Sequence, residues 1–215
     1  MKILALDLSS HAGWALLEGE RGAKPRLVEY GNLTSENDAP YPWGTLNCAE
    51  LIGRDAANLA IEHHPDIIVV EETNLGKQRY SQKMLEFIHC CFLRELREGG
   101  RVTYGIQVVY LSSSEWRKVV GLRLSTEQRA GNRKLSRAKS KSRTDDGVLD
   151  LKNLNAEKKK LGIRGKVTWK HLAVDRVNAD FGLQFQMKDN DIADAILVGC
   201  AYFAGARPCD GTGNH

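Results

Sequence analysis

The chain begins with an unbroken apolar run, Ile3-Leu4-Ala5-Leu6, that stops at Asp7, and a second run, Ile67-Ile68-Val69-Val70, stops at Glu71. Short apolar runs bounded by polar residues mark strands covered on both faces. Strands are predicted over 2–7, 13–18, 26–34, 66–71 and 105–111, with a hairpin turn across Gly19 to Lys24. A helix is predicted over 44–63, carrying Leu46, Leu51, Ile52, Ala56 and Leu59 and ending before Pro65. Another spans 78–98, with Met84, Leu85, Ile88, Cys91, Phe92 and Leu96 at helical spacing and Gly99-Gly100 as its stop. Ser113 or Ser114 is placed to cap a short helix around Trp116, and helical patterning returns over 168–180 and 191–204. A βββαβαβα order of this kind predicts an α/β fold, a mixed five-stranded sheet flanked by helices.

Residues 122–166 differ in texture. From Ser125 to Arg143 there are almost no large apolar residues, and Arg133, Lys134, Arg137, Lys139, Lys141 and Arg143 place six cations in eleven positions. The expectation is a basic insertion without a core of its own, a mobile arm that orders on nucleic acid. The net charge of +4 hides this asymmetry: Arg117 to Lys170 holds 17 Lys or Arg against 5 Asp or Glu, leaving 14 against 22 elsewhere. A local surplus of that size is the electrostatic footprint of a polyanion partner. Residues 208–215 read as a flexible tail on a single domain spanning 1–215.

No segment approaches the roughly 18 consecutive apolar residues of a membrane span, and Met1-Lys2-Ile3 runs straight into a strand, so a soluble cytoplasmic protein is expected. The five cysteines show neither zinc-site spacing nor a secreted framework.

Candidate chemistry lies in carboxylates at element ends. Asp7 and Glu71 terminate buried strands, and Asp191 and Asp194 are three apart at the start of an apolar helix, so both share one helical face. Parallel strands bring their carboxyl ends to one edge of a sheet, where convergent acids repel one another and call for cations. Hard oxygen ligands suit Mg²⁺, with Mn²⁺ as substitute. Glu72 is the alternative to Glu71, and Asp189 the alternative to Asp191. Lys77, Arg79 and Lys83, just past Glu71, are candidate phosphate contacts.

These motifs, in this order, resemble the RuvC-type Holliday junction resolvases of the RNase H-like superfamily. The resemblance rests on Asp7-Leu8-Ser9-Ser10-His11-Ala12-Gly13-Trp14, on Val70-Glu71-Glu72, on Trp116-Arg117-Lys118-Val119-Val120-Gly121 and on Asp191-Ile192-Ala193-Asp194-Ala195. It covers roughly residues 1–121 and 167–205. Leu8-Ser9 stands where the family usually has Pro-Gly, and the basic insertion is absent from compact bacterial members, which fits a diverged or phage-type form. The resemblance implies a crossover junction endodeoxyribonuclease with Asp7, Glu71, Asp191 and Asp194 as catalytic metal ligands, branched DNA as substrate, 5′-phosphate and 3′-hydroxyl products, and a homodimer. Alternatives are another RNase H-like nuclease, acting on flaps, replication intermediates or RNA–DNA hybrids, and a non-catalytic DNA-binding module of the same fold. An actin-like ATPase is disfavoured, since Asp210-Gly211-Thr212-Gly213 has no following strand or helix to hold it.

Overall fold

The strand that ends in Asp7 is the centre of the sheet, and Ile3, Leu4, Ala5 and Leu6 are all fully buried. The computed structural model describes residues 1–35, 39–72, 79–99, 106–143, 148–162 and 165–209, with Arg79 described by its backbone alone. The sheet has the order β3-β2-β1-β4-β5, built from β1 (Lys2–Asp7), β2 (His11–Glu18), β3 (Arg26–Thr34), β4 (Ile67–Glu71) and β5 (Gln107–Leu111). β1 runs antiparallel to β2, whereas β1, β4 and β5 are parallel, so the carboxyl ends of β1 and β4 emerge at one edge.

Alternation along the strands sorts side chains between two faces. Leu4, Leu6, Leu8, Ile68 and Val70 join a core with α1 (Trp43–His63) and α2 (Arg79–Glu98), which packs Ile52, Ala56, Ile88 and Phe92 against them. The opposite face is covered by α7 (Asn190–Phe203), and Gly199 of α7 sits so close that an added Cβ would lie 2.6 Å from Leu17 and 3.1 Å from Ala5. Ala5 and Asp7 therefore face α7, as do Val69 and Glu71.

The predicted strands and helices are present with small shifts of boundary. Ser112, one residue before the expected pair, caps α3 (Ser113–Val119) by accepting the Glu115 amide. On α1 the buried positions are small, Cys48, Ala49, Gly53, Ala56, Ala57 and Ala60 beside Ile52, while Leu46, Leu51 and Leu59 are half-buried. Close helix packing selects the small-residue face over the large one. Cys48 and Cys91 are buried as expected, but Cys90 is exposed.

Two compact units make up the chain, Met1–Leu122 with Ala173–His215, and Arg123–Leu172. The second unit corrects the expectation of a coreless arm. Its α4 (Thr126–Lys141) opens with a capping box in which Ser125 accepts the Gln128 amide and Gln128 accepts the Ser125 amide. Asp150 caps α5 (Leu151–Lys160) through the Lys152 and Asn153 amides. Leu135 and Ala138 of α4 and Leu154 of α5 are buried, and Asn132 bonds both the amide and the carbonyl of Val167. Three buried apolar side chains, two helix caps and the Asn132–Val167 hydrogen bonds order these helices, which composition alone obscured. All six clustered cations remain exposed.

From α6 (Trp169–Phe181) the Asn178 side chain bonds the Phe185 amide and carbonyl, at 2.8 and 3.0 Å, and so fixes the chain that enters α7. Of the expected tail, Cys209 donates its amide to Tyr110 of β5, and residues 210–215 lie outside the described residues. Among the described residues no helix is long and apolar enough to cross a membrane.

Candidate active site

Gly13 explains how the start of α7 comes beside the end of β1. In the β1–β2 ladder it pairs directly with Asp7, and a Cβ built on it would lie 2.0 Å from the Asp191 carbonyl oxygen and 2.6 Å from the Ile192 amide nitrogen. The first turn of α7 is therefore seated on bare backbone beside Asp7. Gly199, eight residues on, repeats this close approach, and the two contacts lay α7 along β1 and β2 over about 12 Å. On β4 the last pair in register with β1 is Leu6 with Val70, so Asp7 and Glu71 are the next positions on neighbouring strands about 4.8 Å apart. Asp191 is half-buried in the first α7 turn and Asp194 is only 5% exposed.

The alternatives left open by sequence separate here. Asp189 turns back to accept the Gln186 amide at 2.8 Å, capping the 3-10 turn Met187–Asp189 that precedes α7. Glu72 follows Glu71 onto the other face, where it lines a cavity of about 690 Å³ with His89, Cys90 and Tyr110. Burial pushes the His89 imidazole below its ordinary range, against the opposing influence of Glu72 and the Leu8 carbonyl. Burial, reinforced by Glu72, pushes the Tyr110 hydroxyl up to about 12.

Sequence reasoning gave Arg117 no role. Its guanidinium approaches Glu71 at 3.6 Å and lies 4.8 Å from the centre of the fully buried Trp116 ring. Its Nε is buried without a hydrogen-bond partner. The one local signal was its place in the Trp116-Arg117-Lys118-Val119-Val120-Gly121 motif after β5, which falls on α3. Among the phosphate contacts expected beyond Glu71, Lys77 and the Arg79 side chain lie outside the described residues. Lys83 is exposed on α2. The cations Arg133, Lys134, Arg137, Lys139, Lys141 and Arg143 lie in the second unit, on α4 and just after it.

The donor chemistry, four carboxylates of which three strand and helix ends bring the backbones together, fits a hard divalent cation. Among the described residues no three His, Cys, Asp or Glu side chains stand close enough to enclose an ion. Ligation would therefore require the carboxylates to turn toward one another about their side-chain torsions.

No family model matches the chain, and no curated protein matches it in sequence. Solved structures do. Thermus thermophilus RuvC in complex with a Holliday junction substrate is 13% identical, with a TM-score of 0.61 over 97% of this chain and 100% of that one. The fold is that of RuvC. A second Thermus thermophilus RuvC structure is 14% identical at a TM-score of 0.58 with the same coverage. The yeast mitochondrial Holliday junction resolvase Ydc2 is 10% identical, with a TM-score of 0.51 over 94% of this chain and 77% of that one. The RuvC-type RNase H-like architecture expected from the motifs, a mixed five-stranded sheet between helices, is thus the one adopted.

Proposed function

We propose that this chain is a Mg²⁺-dependent, structure-selective endonuclease of branched DNA, a crossover junction endodeoxyribonuclease with the Holliday junction as leading substrate. The observation that carries the reading is the seating of Asp191 on Gly13, directly across from Asp7, within a fold shared with a protein solved on a Holliday junction. Asp7 lies between Glu71 and the Asp191/Asp194 pair, and these four carboxylates would hold the metal ions. Such ions supply Lewis-acid activation of water and stabilisation of the leaving 3′ oxygen, leaving 5′-phosphate ends. The chain's own residues orient this chemistry. Arg117 balances Glu71 and sets a cation beside the position of a scissile phosphate, and Trp116 stacks under its guanidinium.

Cations away from the acids would bind phosphates without reading bases. Lys77, Arg79 and Lys83 fill that role beyond β4, and the α4 cluster fills it in the second unit. A homodimer through α2, with two active sites for the two strands to be cut, belongs to the same reading. The test is incubation of purified protein with Mg²⁺ and matched four-way, flap, RNA–DNA hybrid and linear substrates. Preferential cutting of the four-way junction is expected, and equal cutting of linear duplex would reject structure selectivity.

Two further results are expected. Asp194→Asn removes a buried ligand and should abolish cleavage, while Asp189→Asn keeps a side-chain oxygen that accepts the Gln186 amide and should cleave nearly as well as the parent. Swapped severities for Asp189 and Asp191 in a single-turnover cleavage assay would show that Asp189 is the ligand. Replacing the six cations of 133–143 with Ala or Ser should weaken binding to every DNA sequence alike and flatten its salt dependence by about 0.9 in log–log slope for each phosphate no longer neutralised. A salt titration giving an unchanged slope would remove the α4 cluster from the DNA interface.

A further inference from the structure

Among the described residues the two most exposed large hydrophobic side chains are Val148 and Leu151, at 65% and 64%. They stand where the second unit passes from α4 to α5, and the ends that meet there are tied together. Arg143 and Leu149 pair in an antiparallel bridge, and the Asp150 amide donates to the Ser142 carbonyl at 2.7 Å. The Asp150 carboxylate caps α5 through the Lys152 and Asn153 amides. Leu154, three residues along α5 from Leu151, is buried. The unit therefore has a core, and these two side chains stand outside it.

Single surface leucines are ordinary, but two aliphatic side chains displayed at one ordered turn forgo burial with no packing reason inside the unit. Their surroundings restrict what could cover them. Lys141, Arg143 and Lys152 are exposed beside them in the chain. Arg123–Leu172 carries 15 Lys or Arg against 5 Asp or Glu, so the field stays cationic even with Asp145 and Asp146 close by in sequence. A second copy would bring the same positive charge and be repelled. A lipid surface takes a whole apolar helix face, whereas only two side chains are offered here. Duplex DNA supplies both complements: phosphates for the cations and, between base pairs, an apolar slot that an aliphatic side chain enters from the minor groove. Neither side chain has a hydrogen-bonding group with which to read a major-groove edge.

We propose that Val148 and Leu151 form an apolar wedge that enters the minor groove of a duplex arm and unstacks a base step, while the cations around them hold the flanking phosphates. The proposal rests on the branched-DNA reading above but not on cleavage. It gives the second unit a task on the paired arms, where the α4 cations alone would only hold the backbone.

The experiment places 2-aminopurine at successive positions along the paired arms of a four-way junction, in buffer without divalent metal. Unstacking by bound parent protein should raise the probe's fluorescence at one arm step or more. The double variant Val148→Ala, Leu151→Ala should lose that signal and bind the junction about fivefold more weakly, yet keep the parental log–log salt slope, because no cation is removed. Its Tm should be parental, since both side chains already face water. Leu151→Met keeps a long apolar side chain and should keep the signal. A parental signal in the alanine variant would overturn the wedge, as would a salt slope that falls with the signal. A parent that binds the junction without any response along the arms would overturn it as well. Reduced self-association in the alanine variant with an unchanged probe response would assign the pair to a second copy and overturn it too. Failure of the parent itself to bind the junction would overturn the branched-DNA reading, a result distinct from all of these.

Discussion

Asp7→Asn should abolish Mg²⁺-dependent cleavage while leaving junction binding intact or tighter. Asp7 ends the central strand, faces α7, and stands between the position of Glu71 and the first turn that carries Asp191. An amide of the same size keeps the packing but removes one of the charges a hard cation needs, and lost metal catalysis of several kcal/mol corresponds to roughly a thousandfold or more in rate. Binding responds in the opposite direction, because a carboxylate near phosphate repels it and an amide does not. Single-turnover cleavage of a labelled four-way junction, run beside a mobility-shift titration of the same DNA, reads both. Full cleavage by the variant would remove Asp7 from the proposed metal site.

Gly13→Ala should be nearly as damaging by a different route. The new Cβ would meet the Asp191 carbonyl carbon at 2.2 Å and its oxygen at 2.0 Å, and both are backbone atoms that no rotamer change can move aside. Either α7 lifts from the sheet or the β1–β2 ladder opens. Overpacking against a fixed backbone costs about 3 kcal/mol or more, equivalent to roughly 6–12 °C in Tm for a chain of this length. Whatever folds would carry Asp191 and Asp194 displaced from Asp7, so cleavage should fall further than stability accounts for. Gly131→Ala is the control: it lies in α4 with nothing within 4 Å of the added methyl, and it should be neutral or mildly stabilising. A Gly13→Ala protein with parental Tm and activity would show that α7 is not seated as described.

Local pattern was enough for much of this molecule. Apolar runs of strand length ending at Asp7 and Glu71, and the Asp191–Asp194 spacing at a helix start, are properties of neighbouring residues, and residue order sufficed to place those elements and their acids. The resemblance drawn from those motifs pointed to the architecture that the chain adopts. What remained open depended on partners distant in the chain. Glu71 rather than Glu72 faces the acids because α7 covers that side of the sheet, and a residue's neighbours do not reveal which helix covers which face. The Asp189 carboxylate is instead bound to the Gln186 amide, a matter of turn geometry. Arg117 reaches Glu71 from 46 positions away. On α1 the larger leucines are left half-buried because the space against the sheet and α2 admits alanine, cysteine and glycine, a limit set by interhelical distance. The insertion at 122–166 reads as coreless, yet its α4 and α5 are ordered by capping and by Leu135, Ala138 and Leu154, residues whose value appears only once both helices exist. Residue order determined which elements form and where the acids are attached. Packing between elements far apart in the chain decided which acids share a sheet edge, because proximity across a sheet is set by the helix laid over it.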